Sequence, residues 1–371
     1  AAAERAGLQL FLGSYPITPA TDILHELTKR KDFGVKALQM EDEIAGITSA
    51  IGASFAGCLA ATSTSGPGLS LKSEAIGLAV MTELPLVIID VQRSGPSTGM
   101  PTKSEQTDLR QALYGRNGES PLVVIAATSP TDCFDSAFEA SKIALEHMTP
   151  VILLTDGYIA NGSSAWRIPE MEDYPEINPP YVDKYYNGNA EDWKPFLRNE
   201  ATDVRYWGIP GTPEFMHRVG GLEKDRFTGV ISSNPENHQF MIDIRQNKIE
   251  RIADFIPEQE VMGDKDAETL IVGWGGTYGH LLEATLHLQD SGKKVAFTQF
   301  RHISPLPKNT HDLLKGYKKV IVAEQNSGQF AAYLSSKFQD LSNIHKFNRI
   351  EGQPFKVSEL VKEFTKIMEE A

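Results

Sequence analysis

A chain of 371 residues with 36 basic and 49 acidic side chains carries a formal charge of −13, and 41% of it is hydrophobic. That composition excludes a disordered, collagenous or coiled-coil main state. The acids are dispersed and Lys and Arg do not cluster, which argues against a nucleic-acid surface. The longest apolar run, around Leu84–Val91, holds Pro85 and Asp90 and falls short of the ~20 residues a membrane helix needs. The start AAAERAGLQL lacks the basic segment of a signal peptide, so a cytoplasmic location is expected.

In chain order, Ala1–Leu10 reads as a helix. Val35–Leu38, Leu59–Thr62, Leu86–Val91, Val123–Ala126 and Val151–Leu154 are short, rich in β-branched residues and flanked by breakers, which predicts strands buried on both faces. Ala20–Lys31, Asp42–Ala56, Ala75–Thr82 and Thr131–Met148 read as helices, with Thr131 or Asp132 as the cap of the last. Strand alternating with helix predicts a parallel sheet with right-handed crossovers, a doubly wound α/β domain over residues 1–165. Residues 166–262 change texture. Between Ile168 and Pro213 seven prolines (169, 175, 179, 180, 195, 210 and 213) break any regular pattern, yet aromatics lie between them. The reading is an ordered excursion over a surface, followed by a helix through Glu236–Arg251. Residues 263–371 repeat the α/β alternation, with strands at Leu270–Val272, Val295–Thr298, Val320–Ala323 and His345–Phe347. Helices are expected over Tyr278–Asp290, Asn309–Lys315, Gln329–Gln339 and Val357–Glu369, giving a smaller four-stranded doubly wound domain.

Four segments stand where strands of the first domain end, the edge that lines the ligand crevice of an open parallel sheet. Tyr15-Pro16-Ile17-Thr18-Pro19 precedes a helix; Pro19 suits its first turn and Thr18 its N-cap, which makes an anion site or a plain capped helix. Glu41 ends a strand and opens a Gly/Ala-rich helix. There it is expected to be partly desolvated and suited to share a proton with a ring nitrogen, although a helix-start acid such as Asp42 or Glu43 also answers to the helix dipole alone. Ser63-Thr64-Ser65-Gly66-Pro67-Gly68 lets a ligand approach the backbone, or simply turns tightly. The run Gln92-Arg93-Ser94-Gly95-Pro96-Ser97-Thr98-Gly99-Met100-Pro101-Thr102 puts Arg93 where it can grip a carboxylate, or form a surface salt bridge.

Other motifs are excluded. Gly273-Trp274-Gly275-Gly276-Thr277-Tyr278-Gly279 is one residue too long for a dinucleotide fingerprint, and Gln299 and Arg301 stand where its acid belongs. Asp156-Gly157 lacks the later asparagine of a metal–diphosphate motif and reads as a strand-end turn. The histidines show no metal-binding spacing, so no metal site is proposed in this chain. Two cysteines, Cys58 and Cys133, are too few for an iron–sulfur cluster, a cysteine zinc site or a disulfide framework, and are expected as buried thiols.

Taken in order, the four segments resemble the alpha subunits of 2-oxoacid:ferredoxin oxidoreductases. Gly221-Leu222-Glu223, Pro235-Glu236-Asn237-His238 and Ile303-Ser304-Pro305-Leu306-Pro307 match too, and the resemblance covers nearly the whole chain. The Gly95-Pro96-Ser97-Thr98-Gly99 version is most similar to 2-oxoglutarate enzymes. The resemblance implies that the first domain is the pyrimidine-binding half of a thiamine diphosphate site and the last a transketolase C-terminal-like domain. It implies a beta subunit that supplies the diphosphate-binding half, Mg²⁺ and a [4Fe–4S] cluster, with ferredoxin, coenzyme A and a 2-oxoacid as further partners and gamma as a separate chain or an upstream segment. The family's cofactor glutamate maps onto Glu41 with Gly46 five residues on, Ala50 replacing the second glycine. Tyr15, Pro16, Ile17, Ser65 and Gly66 then face the cofactor, and Thr18, Arg93 and Thr102 hold the 2-oxoacid carboxylate.

Overall fold

The computed structural model describes residues 1–100, 102–264 and 266–370. The first unit runs α1 (Ala2–Ala6), β1 (Leu10–Ser14), α2 (Thr21–Thr28), β2 (Lys36–Gln39), α3 (Glu43–Phe55), β3 (Leu59–Thr64), α4 (Gly66–Leu71), α5 (Ser73–Thr82), β4 (Leu86–Gln92), α6 (Leu109–Tyr114), β5 (Val123–Ala126), α7 (Asp132–His147), β6 (Pro150–Asp156) and α8 (Gly157–Asn161). The Pro-rich segment holds α9 (Val182–Tyr185) and leads to α10 (Pro235–Arg251), which Asn234 caps by accepting the Asn237 amide at 2.8 Å. The second unit runs β7 (Met262–Gly263), β8 (Thr269–Trp274), α11 (Tyr278–Asp290), β9 (Val295–Phe300), β10 (His302–Ser304), α12 (Thr310–Lys315), β11 (Lys319–Glu324), α13 (Gln329–Lys337), β12 (Ile344–Asn348) and α14 (Val357–Glu369).

Two sheets result. The larger has the order β10-β5-β6-β4-β3-β1-β2 and the smaller β12-β11-β8-β9-β7. All pairings are parallel except β10 with β5 and β7 with β9. The central strands β3, β4, β5 and β6 carry apolar side chains on both faces because helices cover both. One hydrophobic cluster joins Ile47, Ile76, Ile88 and Leu154 of the first unit to Val272, Phe300, Val322 and Phe330 of the second, so a single core spans both sheets. On the opposite face Leu12, Ile143 and Leu153 pack with Ile177, Val204 and Trp207 of the Pro-rich segment. That segment is ordered as expected: Trp193, Phe196 and Trp207 are buried, and Tyr181 stacks on Trp207 at 5.6 Å between centroids.

Several expectations are corrected. Val35–Leu38 is not a strand buried on both faces: β2 is the edge of its sheet and Lys36, Leu38 and Gln39 are exposed. The expected helix over Ala1–Leu10 stops at Ala6, where Gly7 takes a left-handed conformation (φ 64°), and Leu10 begins β1. Thr131 makes no side-chain cap; Asp132 turns back to accept from the Thr128 amide and hydroxyl. Cys58 and Cys133 are only half-buried at the margins of the cores, and burial pushes the Cys133 thiol up to about 11. The second sheet has five strands, with the short antiparallel β7 added, while β10 leaves that unit to pair with β5.

Candidate functional site

Strand order brings the four motifs together. β4, β3, β1 and β2 are successive neighbours, all parallel, so their C-terminal ends stand in one row. The loops beginning at Arg93, Ser65, Tyr15 and Met40 therefore share one edge, the crevice side of an open α/β sheet. A cavity of about 650 Å³ opens elsewhere, lined by Glu74, Asn117, His238 and Arg245, and contains no residue of these loops. A smaller cavity of about 330 Å³ reaches the Tyr15 loop at Pro19 and the end of β4 at Val91.

Arg93 and Thr18 meet: Arg93 Nη1 donates to the Thr18 carbonyl at 2.5 Å. Thr18 is not the N-cap, however. Ala20 holds that position, and the Ile17 carbonyl receives the Ala20 and Thr21 amides at 2.7 and 3.0 Å, so the turn consumes the groups Thr18 was expected to satisfy. Tyr15 and Thr18 are exposed, with Pro16 and Ile17 half-buried between them. Ser65 is fully buried, and its Oγ finds no hydrogen-bond partner among the described residues. Thr102 is exposed on the outer loop with a left-handed backbone (φ 54°), and Pro101 lies outside the described residues. The Ser94 amide donates to the Lys103 carbonyl at 3.0 Å and Ser94 Oγ to Glu105 at 2.8 Å, closing the base of that loop.

Glu41 is not the partly desolvated carboxylate expected. It is exposed, because it precedes the cap: Asp42 accepts the Ala45 amide at 2.7 Å and leaves Glu41 outside the helix, beside the edge strand. The desolvated carboxylate is Glu43, at the first position of α3 and 9% exposed. It turns inward over the Thr64–Gly68 turn. A Cβ on Gly68 would stand 2.9 Å from Glu43 Cγ, 3.2 Å from its Oε1 and 2.0 Å from Thr64 Oγ1, so glycine is required for this approach. The sequence did hold a signal: Gly52 lies nine residues after Glu43, at the spacing where Ala50 breaks the pattern counted from Glu41.

Lys72 was also missed. It is fully buried, and its Nζ donates to the Glu43 carbonyl at 2.8 Å. Burial pushes its pKa down to about 8 against the pull of Glu43 and Asp42. The two glycine-loop readings resolve as structure. Asp156 accepts the Tyr158, Ile159 and Gly276 amides at 2.9, 3.1 and 3.0 Å, and Gln106 donates to the Trp274 carbonyl at 2.6 Å while accepting the Gln325 amide at 3.0 Å. The polar groups a dinucleotide would need are spent joining the two units. Among the described residues, no group of three His, Cys, Asp or Glu could hold a metal, and no helix is long and apolar enough to cross a membrane.

Comparison with known proteins decides the family. The model "Pyruvate flavodoxin/ferredoxin oxidoreductase, thiamine diP-bdg" matches residues 1–210. The chain belongs to this family. A 2-oxoglutarate oxidoreductase subunit KorA of Mycobacterium tuberculosis is 50% identical over 360 residues, 97% of this chain and 54% of that protein. A 2-oxoglutarate synthase subunit KorA of Methanothermobacter thermautotrophicus is 30% identical over 97% of this chain and 94% of its own. The solved 2-oxoglutarate:ferredoxin oxidoreductase of Magnetococcus marinus, with 2-oxoglutarate, coenzyme A and succinyl-CoA bound, superposes with a TM-score of 0.91 at 36% identity, covering 98% of this chain and 63% of that one. The chain thus spans about half the length of the Mycobacterium relative. Campylobacter jejuni transketolase shares only the fold, with a TM-score of 0.55 at 12% identity. Within the family the α/β architecture is that of thiamine diphosphate-binding enzymes.

Proposed function

We propose that this chain is the alpha subunit of a 2-oxoglutarate:ferredoxin oxidoreductase, converting 2-oxoglutarate and coenzyme A to succinyl-CoA, CO2 and reduced ferredoxin. The observation that carries the reading is Glu43: a buried carboxylate at the switch edge of the sheet, above a turn of small residues with an unsatisfied hydroxyl at Ser65. That donor set fits a flat nitrogen ring. The role first given to Glu41 passes to Glu43, which would hold the ring of thiamine diphosphate by sharing a proton with a ring nitrogen; Lys72, donating to the Glu43 carbonyl, fixes that backbone. When bound, the cofactor supplies the nucleophilic carbon and the electron sink. Arg93, anchored on the Thr18 carbonyl, presents its charge to the 2-oxoacid carboxylate, a contact of about 1.5–3 kcal/mol where water is excluded. Thr102, on the same loop as Arg93, is the further candidate for that carboxylate.

Tyr15, Thr18, Glu41 and Thr102 are exposed on these loops, which favours a site completed by another chain. In this reading a beta subunit brings the diphosphate-binding half, Mg²⁺ and the [4Fe–4S] cluster, for which two cysteines here are too few. Co-expression with that subunit and a panel of 2-oxoacids tests the proposal by reduction of ferredoxin or a viologen dye. Preference for 2-oxoglutarate is expected. Preference for pyruvate or branched-chain 2-oxoacids reassigns the substrate, and no electron transfer with any of them leaves a non-catalytic scaffold.

A further inference from the structure

Behind the Thr64–Gly68 turn lie two carboxyls that the proposed reaction does not use. Asp90, on β4, is 0% exposed, and neither of its oxygens accepts a hydrogen bond from the described residues. Asp108, which precedes α6, makes no capping bond, and its Oδ2 is equally unsatisfied. Its backbone amide donates to Gln92 Oε1 at 3.2 Å, which places it beside the end of β4 where Arg93 follows. A Cβ on Gly66 would stand 2.6 Å from Asp108 Oδ1, so the turn rests on this carboxyl. Three orphaned carboxylate oxygens in one packed place are costly, because each has given up its hydrogen bonds to water without a replacement. One proton between the two acids removes most of that cost.

We propose that Asp90 retains a proton and donates it to Asp108, so that the pair carries a single negative charge and holds Arg93 in position for the 2-oxoacid carboxylate. The charged groups acting on the pair are Arg93 and Glu105; the residues in register with Asp90 on β3 and β6, Thr64 and Leu154, are uncharged. Burial pushes Asp90 well above the usual carboxylate range, and the neighbouring Asp108 pushes it further. Burial also raises Asp108, to about 6, while the hydrogen bond from Asp90 and the charge of Arg93 hold it down. Asp90, fully buried with both oxygens unsatisfied, is the poorer place for the charge, and Asp108, with one oxygen unsatisfied and Arg93 nearby, the better. When Asp90 loses its proton, a second negative charge appears behind Arg93, draws the guanidinium inward and repels the anionic substrate.

This inference rests on the functional reading for its substrate, but not for the proton. In the assembled enzyme at neutral pH, the infrared C=O stretch of a protonated carboxyl is expected, and Asp90→Asn removes it. Wild-type KM for 2-oxoglutarate is expected to rise at alkaline pH with kcat little changed. Asp90→Val, which has no donor, raises KM at neutral pH about tenfold, the size of one charge-assisted hydrogen bond. Asp90→Asn restores the donor, and its KM stays flat into the alkaline range because an amide cannot ionise. Absence of the infrared band in the wild type overturns the proposal, as does an alkaline rise retained by Asp90→Asn or a Val variant no worse than the Asn variant. If Asp90→Val does not fold, the band and the Asn pH profile decide. Failure of the wild-type assembly to use any 2-oxoacid overturns the functional reading instead, and the band still reports whether Asp90 holds the proton.

Discussion

Replacing Glu43 by Gln tests the proposed proton partner with the least disturbance. The side chain is 9% exposed and packs over the Thr64–Gly68 turn, and Gln has nearly the same shape, so the contacts around Gly68 survive. What is lost is the ability to hold a proton. General acid–base groups contribute about 10²–10⁴ in rate, equivalent to about 2.7–5.4 kcal/mol of barrier. Turnover should fall by at least about 100-fold on that basis, with folding and subunit assembly retained. Glu41→Gln, at an exposed position before the helix cap, should stay within about twofold, as surface substitutions do. The assay is 2-oxoglutarate- and coenzyme A-dependent viologen reduction by the co-expressed subunits, with thiamine diphosphate affinity measured alongside. A Glu41 variant that loses the activity while the Glu43 variant keeps it would refute the reassignment and return the role to the exposed carboxylate.

Arg93→Ala should raise KM for 2-oxoglutarate by roughly 10- to 100-fold, the loss of one charge-assisted contact, while cofactor affinity is unchanged; equal loss of both in titrations indicates collapse of the loop instead. Gly68→Ala should be destabilising by about 1–3 kcal/mol in urea unfolding, because its methyl meets Thr64 Oγ1 and Glu43 Cγ, and should lower activity more than Gly77→Ala, where a Cβ meets nothing within 4 Å. Glu83 is 1% exposed at the left-handed end of α5 (φ 49°). It accepts from Arg198 at 2.8 Å and again through a second, shorter contact, and from Lys248 at 2.5 Å. Glu83→Gln should cost about 3–5 kcal/mol, since two buried cations lose their counter-charge. Burial alone would raise this carboxyl, but Arg198 and Lys248 outweigh it and hold it well below its ordinary 4.5. Its stabilisation is therefore complete above that value and lost as the pH falls through the depressed one, so acid unfolding of wild type should be steeper than that of Glu83→Gln.

The larger elements were legible because their signals are local. Tyr278–Asp290 and Val357–Glu369 match α11 and α14 end to end, and four strands of the first sheet appear where β-branched runs stand between breakers. What stayed hidden depends on partners far along the chain. Three-residue β10 has no pattern of its own and exists because His302 and Ser304 pair with Ile125 and Val124. Val35–Leu38 looks like a buried strand by composition and is exposed only because strand order puts β2 at the sheet edge. Lys72 gives no sign in the sequence that its ammonium turns inward to a carbonyl 29 residues earlier.

The sequence by itself determined the alternation of strand and helix on either side of a Pro-rich passage and the four loops at strand ends, because hydrophobic period, breakers and caps act over a few residues. Only the tertiary structure decided which acid of Glu41-Asp42-Glu43 is buried, and that Asp90 and Asp108 meet. A two-residue shift at a helix start turns a side chain from solvent to the interior, and two carboxyls 18 positions apart become neighbours only when strand and helix pack.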